Sequence, residues 1–154
     1  MHSRIFQVDC KPINKEDYIT ESDFWEHWFT REWADYVAES NRDDDIKWIT
    51  RHGKDKGIQV KKSKGEYTLT VTDKLEYFSH SFERFKKALD ELNKKTIEEF
   101  CNGDMQMWEL NDAYHDKGGF YISYGEELFT LDEFVRNAEK GDIYYLGGTL
   151  DYHW

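Results

Sequence analysis

Asp112, His115 and Asp116, together with Asp151 and His153 near the end of the chain, are the residues whose types and spacing could do chemistry. If residues 112–116 form a helical turn, Asp112, His115 and Asp116 share one face, because side chains three and four apart are neighbours on a helix. Two carboxylates and an imidazole so placed could hold a divalent ion, or pair a general base with the acid that orients it. The candidate catalytic set is therefore Asp112, His115, Asp116 and His153. Tyr114 and the later tyrosines could line a pocket beside it, and Tyr121, Tyr144, Tyr145, Tyr152 and Trp154 are the candidate binding residues. The competing reading makes the Asp residues turn and cap groups, the histidines partly exposed and the tyrosines sheet surface. It is the stronger one, since no spacing here forces ligands to converge, and neither a metal nor a cofactor is expected.

Other signatures are missing or weak. The chain has no Gly-x-x-x-x-Gly-Lys-Ser/Thr, Gly-x-Gly-x-x-Gly, Gly-x-Ser-x-Gly or His-Glu-x-x-His, so the easily read nucleotide, hydrolase and zincin mechanisms are not indicated. Glu26-His27 could be an acid and base pair, but among Trp25 and Trp28 it reads as the solvent side of an amphipathic helix. Cys10 and Cys101 belong to no Cys-x-x-Cys pair and read as free thiols.

Charge carries more information than any motif. The formal net charge is −11, and its division is uneven. Residues 1–50 hold 12 acidic against 6 basic side chains, residues 51–100 hold 9 against 12, and residues 101–154 hold 11 against 3. Two acidic ends thus flank a mildly basic middle, a pattern that can select partners by charge. The basic run from Arg51 to Lys64 could offer a local anion contact, yet the overall field opposes approach to a polyanion, and no direct nucleic-acid binding is expected.

The elements that must position these groups fit one α+β domain spanning residues 1–154. The 26 aromatic residues must supply much of its core and argue against disorder. Arg4–Asp9 reads as a first strand. Phe24, Trp25, Trp28, Phe29, Trp33, Tyr36 and Val37 recur at helical intervals and predict an aromatic N-terminal helix, opened by Asp23 and Glu26 in capping-box spacing. Ile46–Ile49 reads as a strand, and residues 58–62 and 66–72 as a hairpin joined through Ser63, Lys64 and Gly65. Leu75, Phe78, Phe82, Phe85, Leu89 and Leu92 step by three and four after Asp73, predicting a long amphipathic helix for which packing on the chain's own sheet is favoured over dimerisation. Thr96 with Glu99 and Thr130 with Glu133 have capping-box spacing, and Phe120–Tyr124 reads as a strand. Asp142–Leu146 and Thr149–Trp154 read as a hairpin about Gly147-Gly148. Residues 36–49 and 134–146 echo each other as two helix, turn and strand units. The expected architecture is a mostly antiparallel sheet with two hairpins, packed against the N-terminal helix and the long helix.

These observations point to a non-enzymatic acidic protein that docks on a basic partner surface. One version is mimicry of nucleic acid, with carboxylates standing where phosphates would. The alternative is a small metal-dependent hydrolase or nuclease using the Asp/His group, and a third reading is a small-molecule or peptide module built on the C-terminal tyrosines. No stretch approaches the roughly 20 apolar residues that span a bilayer, so no membrane partner is expected and the location reads as cytoplasmic.

Overall fold

A computed structural model describes all residues, 1–154. Seven strands form one sheet: β1 (His2–Asp9), β2 (Tyr36–Glu39), β3 (Ile58–Ser63), β4 (Glu66–Val71), β5 (Tyr121–Tyr124), β6 (Glu127–Thr130) and β7 (Ile143–His153). The order is β3-β4-β7-β1-β5-β6, and β2 also pairs with β7. Only β1 and β5 run parallel, so the sheet is mostly antiparallel, with hairpins β3–β4 and β5–β6. Six helices complete an α+β chain: α1 (Trp28–Glu32), α2 (Arg42–Gly53), α3 (Lys74–Asn93), α4 (Ile97–Cys101), α5 (Met107–His115) and α6 (Leu131–Asn137).

The C-terminal hairpin expected about Gly147-Gly148 is instead one continuous eleven-residue strand, β7. Phe6 pairs with Thr149 and Val8 with Leu146, so Gly147 and Gly148 together oppose Gln7 alone. This is a β-bulge, and its extra residue changes which face the following side chains take. Tyr144 and Leu146 enter a core with Phe6, Val8, Ile122 and the apolar faces of α2 and α6. Leu150 and Tyr152 enter a second core on the other face, with Ile5, Tyr121 and the N-terminal residues Phe24 and Phe29. Without the bulge, period-two alternation would put all four on one side. The glycines are needed because the chain before α1 lies directly on them. A Cβ at Gly148 would stand 2.9 Å from Tyr18 Cβ and 3.1 Å from the backbone N and O of Ile19. The Gln7 side chain fastens the crossing: its Oε1 accepts from Gly148 N–H at 2.9 Å and Ile19 N–H at 3.1 Å.

Two further expectations, one strand and one helix, change. Ile46–Ile49 lies in α2, not in a strand. Asn41 caps α2 by accepting from Asp44 N–H, Asp43, Asp44 and Asp45 fill its first turn, and Arg51 and His52 its last. Each of these favours a helix through capping and the helix dipole. The aromatic N-terminal helix is short, with a 3-10 turn at Glu21–Phe24 before α1 and the strand β2 after it. Its capping box is Thr20 with Asp23. Tyr36 and Val37 follow strand alternation because β7 offers them an edge at His153 and Tyr152. The echo between residues 36–49 and 134–146 therefore fails, since the first runs strand then helix and the second helix then strand.

The long helix α3 is present and capped by Asp73, which accepts from the N–H groups of Leu75 and Glu76. Only its first turns reach the sheet, through Tyr77 and Phe78. Beyond them it lies beside α5, and Ala88 is its single buried residue.

Gly148→Ala is expected to lower the free energy of urea unfolding by about 1–3 kcal/mol, because the Cβ meets backbone that cannot swing aside. Gly147→Ala, whose Cβ meets the ends of the Gln7 and Ile13 side chains, should cost less. Equal losses would show that backbone crowding does not decide this site.

Candidate functional site

Residues 107–115 form α5, so Asp112 and His115 are helical, and Asp116 closes the helix in the left-handed conformation at φ 37°. Asp112 is taken up by Arg84 of α3, whose Nη2 donates to its Oδ2 at 2.6 Å. The carboxylate of Asp116 folds back on Gly119, where a Cβ would stand 2.5 Å from its Oδ2. Although Asp116 as a residue is exposed, this packing desolvates its carboxyl and, with the negative charges of Asp132 and Asp112, pushes its pKa up against the opposing effect of Arg84.

Asp132, a residue that motif reading passed over, is the more constrained carboxylate. It lies in the first turn of α6, is 4% exposed, and accepts from the Tyr77 hydroxyl at 2.7 Å through Oδ1. Its Oδ2 has no partner. Desolvation raises its pKa, and the Tyr77 hydrogen bond with the charges of Arg136 and His115 only partly offsets this. Burial and the same carboxylate raise Tyr77. The only advance signal for Asp132 was its place inside the Thr130–Glu133 capping box.

His153 is elsewhere. It follows Tyr152 on β7 and so faces the opposite side of the sheet. The Tyr152 hydroxyl donates to Gly119 O at 2.6 Å, near Asp116, whereas His153 Nδ1 lies 2.8 Å from Asp35 Oδ2 and its ring stacks on Tyr36 at 5.6 Å. The structure thus brings Asp112, His115 and Asp116 into one stretch and leaves His153 apart. Nowhere do three His, Cys, Asp or Glu side chains come close enough to hold a metal ion. Among the candidate binding residues, Tyr121, Tyr144 and Tyr152 are buried in the two cores. Tyr145 is half-buried, and Trp154 is partly exposed and stacked on Tyr152 at 5.1 Å.

Asp151 belongs to a second polar group, centred on buried Asp45. Arg4 donates from Nε to Asp45 Oδ1 at 2.5 Å and from Nη1 to Asp151 Oδ1. Asp45 Oδ2 accepts from Ser40 at 2.5 Å and Thr149 at 2.8 Å. Both oxygens of Asp45 are satisfied and the group joins β1, α2 and β7, the arrangement of a structural tie.

The surface carries a different candidate. Residues 14–35 lie over the back of the sheet and lead into β2, and residues 14–39 hold eight acidic side chains, Glu16, Asp17, Glu21, Asp23, Glu26, Glu32, Asp35 and Glu39, against Lys15 and Arg31. All eight but Glu21 are exposed, and Trp25, at 73% exposure, stands among them with Trp28 and Tyr36. Two of the C-terminal acidic residues, Glu126 and Glu127, approach this cover at one end of the sheet. Because β1 and β5 run parallel with Val8 beside Tyr124, the β5–β6 turn carrying Glu126, with Glu127 at the start of β6, falls next to Asp9. Asp9, Pro12, Asn14, Asp17, Ser123 and Gly125 line a groove there of about 270 Å³. No family model matches the chain, and no match was found among curated proteins or solved structures.

Asp132 has a raised folded pKa, so its ionisation costs stability: folding is unpenalised below the ordinary carboxylate range, and stability is lost as pH rises through the raised value. Asp132→Asn keeps an acceptor for Tyr77 and carries no charge. Its melting temperature, taken relative to the parent protein, is expected to climb between about pH 3 and about pH 7. A difference that stays flat across that range would mean the buried charge is not what costs stability.

Proposed function

We propose that this chain is a non-enzymatic acidic interaction protein that docks on a basic partner surface, mimicry of nucleic acid being one form of such docking. The observation that supports the reading is the place of the β5–β6 turn, which carries Glu126, beside the groove that Asp9 and Asp17 line. Two acidic surfaces on opposite sides would give no single docking face. Carboxylates there supply steering and register, and exposed Trp25 and Trp28 add the ring surface that anchors an interface.

The alternative, a metal-dependent hydrolase or nuclease on Asp112, His115, Asp116 and His153, has less support. Arg84 engages Asp112, Asp35 engages His153, and the two groups lie apart.

A lysine- and arginine-rich peptide, titrated with the protein's tryptophan fluorescence as readout, is the probe that tests the docking surface. Affinity is expected to fall steeply between about 0.05 M and about 0.3 M salt, since screening weakens exposed charge pairs. Asp17→Lys with Glu126→Lys should weaken binding about tenfold or more. The same change in net charge placed on α4 and α5, as Glu98→Lys with Glu109→Lys, should cost much less. Equal losses from both pairs would reduce the binding to bulk charge and remove the proposed surface.

A further inference from the structure

We infer that the apolar face built by α3 and α5 is covered by the same face of a second copy of this chain. The stripe on α3 is longer than the sheet can use. A twenty-residue helix spans about 30 Å, and the sheet core takes up only Tyr77 and Phe78 near its start. α5 lies along the remainder but does not close it. Phe82 is 57% exposed, Leu89 41%, Met107 53%, Trp108 65% and Tyr114 49%. Between the helices run two adjoining hollows of about 330 and 520 Å³ that share Phe85 and Tyr114 in their walls.

The area suits a dimer. At roughly 200 Å² for each large side chain, those exposures leave about 500 Å² of ring and aliphatic surface per copy. That is at the upper end of what a typical monomer shows in one patch. Paired across a two-fold axis, two such faces bury about 1,000 Å² before any polar rim is counted, enough for a specific interface. Such a pairing is isologous and closes on itself.

Charge permits the same face. Two chains of formal charge −11 repel, and their acidic ends repel most. α3 carries Lys74, Arg84, Lys86 and Lys87 against Glu76, Glu83, Asp90 and Glu91, so it is balanced. α5 adds Glu109 and Asp112, the latter paired with Arg84, so the two helices together carry 4 basic against 6 acidic side chains. That excess of two is a small share of the chain's −11, so copies meet little opposition along these helices. The surface is distinct from the acidic groove, and the two respond to salt with opposite sign: screening removes the repulsion between copies and leaves apolar burial intact, whereas it weakens acidic docking.

Sedimentation equilibrium of the full chain across about 1–100 µM tests this. The expected result is a mass that rises with concentration toward twice the 18.6 kDa of one chain, and rises at lower concentration as salt is increased. Phe82→Asp and Trp108→Glu alter exposed side chains, so circular dichroism should show the parent fold while the dimer dissociation constant rises at least about a hundredfold. Trp25→Ala, on the acidic cover, should leave the dimer unchanged. A parent protein that stays monomeric at about 100 µM would overturn the proposal and give this face to a different occupant. A dimer that survives both helix substitutions, or that high salt dissolves, would overturn it equally.

Discussion

The bulge that Gly147 and Gly148 make opposite Gln7 is the constraint from which the architecture follows. β7 is the longest strand and pairs with β1, β2 and β4. A strand of strict alternation can feed only one core with every second residue. The extra residue divides the apolar set of β7 between two faces, Tyr144 and Leu146 on one and Leu150 and Tyr152 on the other. α2 and α6 close the first core, and the aromatic turn and α1 close the second. The edge left open between β4 and β2 is satisfied by Arg42, which donates to the carbonyls of Leu146 at 2.8 Å and Gly147 at 2.6 Å.

The two buried carboxylates show how the chain treats charge in its interior. Asp45 accepts from Arg4, Ser40 and Thr149, and so compensates the loss of water with hydrogen bonds on both oxygens. Asp132 has one donor, Tyr77, and one oxygen without a partner. Burial raises its pKa instead, the usual outcome where desolvation is not matched by pairing. Such incompletely satisfied groups are rare in folded proteins and mark places where the fold accepts strain.

Outside, the molecule presents two surfaces of different physics. One is a carboxylate-rich cover around exposed tryptophans, where long-range fields dominate. The other is a helical face of low net charge on which rings remain in water. They are separate because the acidic cover is anchored by Phe24, Phe29 and Gln7 to the back of the sheet, whereas α3 runs past the opposite core and depends on α5 for what cover it has.

Much of the fold was legible, and so was part of the candidate site. The Asp73, Thr96 and Thr130 caps, the β3–β4 turn at Lys64-Gly65 and the α3 stripe all stand where residue types place them. Each rests on neighbours within about four positions, where backbone geometry alone brings the groups together. Asp112 and His115 likewise share α5 through local spacing, and the division of charge is a property of composition. The signals for α2 were also local, Asn41 and three acidic residues before Ile46, but a short apolar run has no period that separates strand from helix. What the sequence by itself determined, then, was local: caps, turns, stripes and net charge. Only the tertiary structure decided that Gly147-Gly148 is a bulge, since the reason lies in Gln7 and Tyr18 more than a hundred residues away. It alone parted His153 from His115, buried Asp132, set the β5–β6 turn beside Asp9 and left the α3 stripe uncovered. Those outcomes depend on register and on what packs against what, and contacts between distant residues leave no spacing in the chain to read.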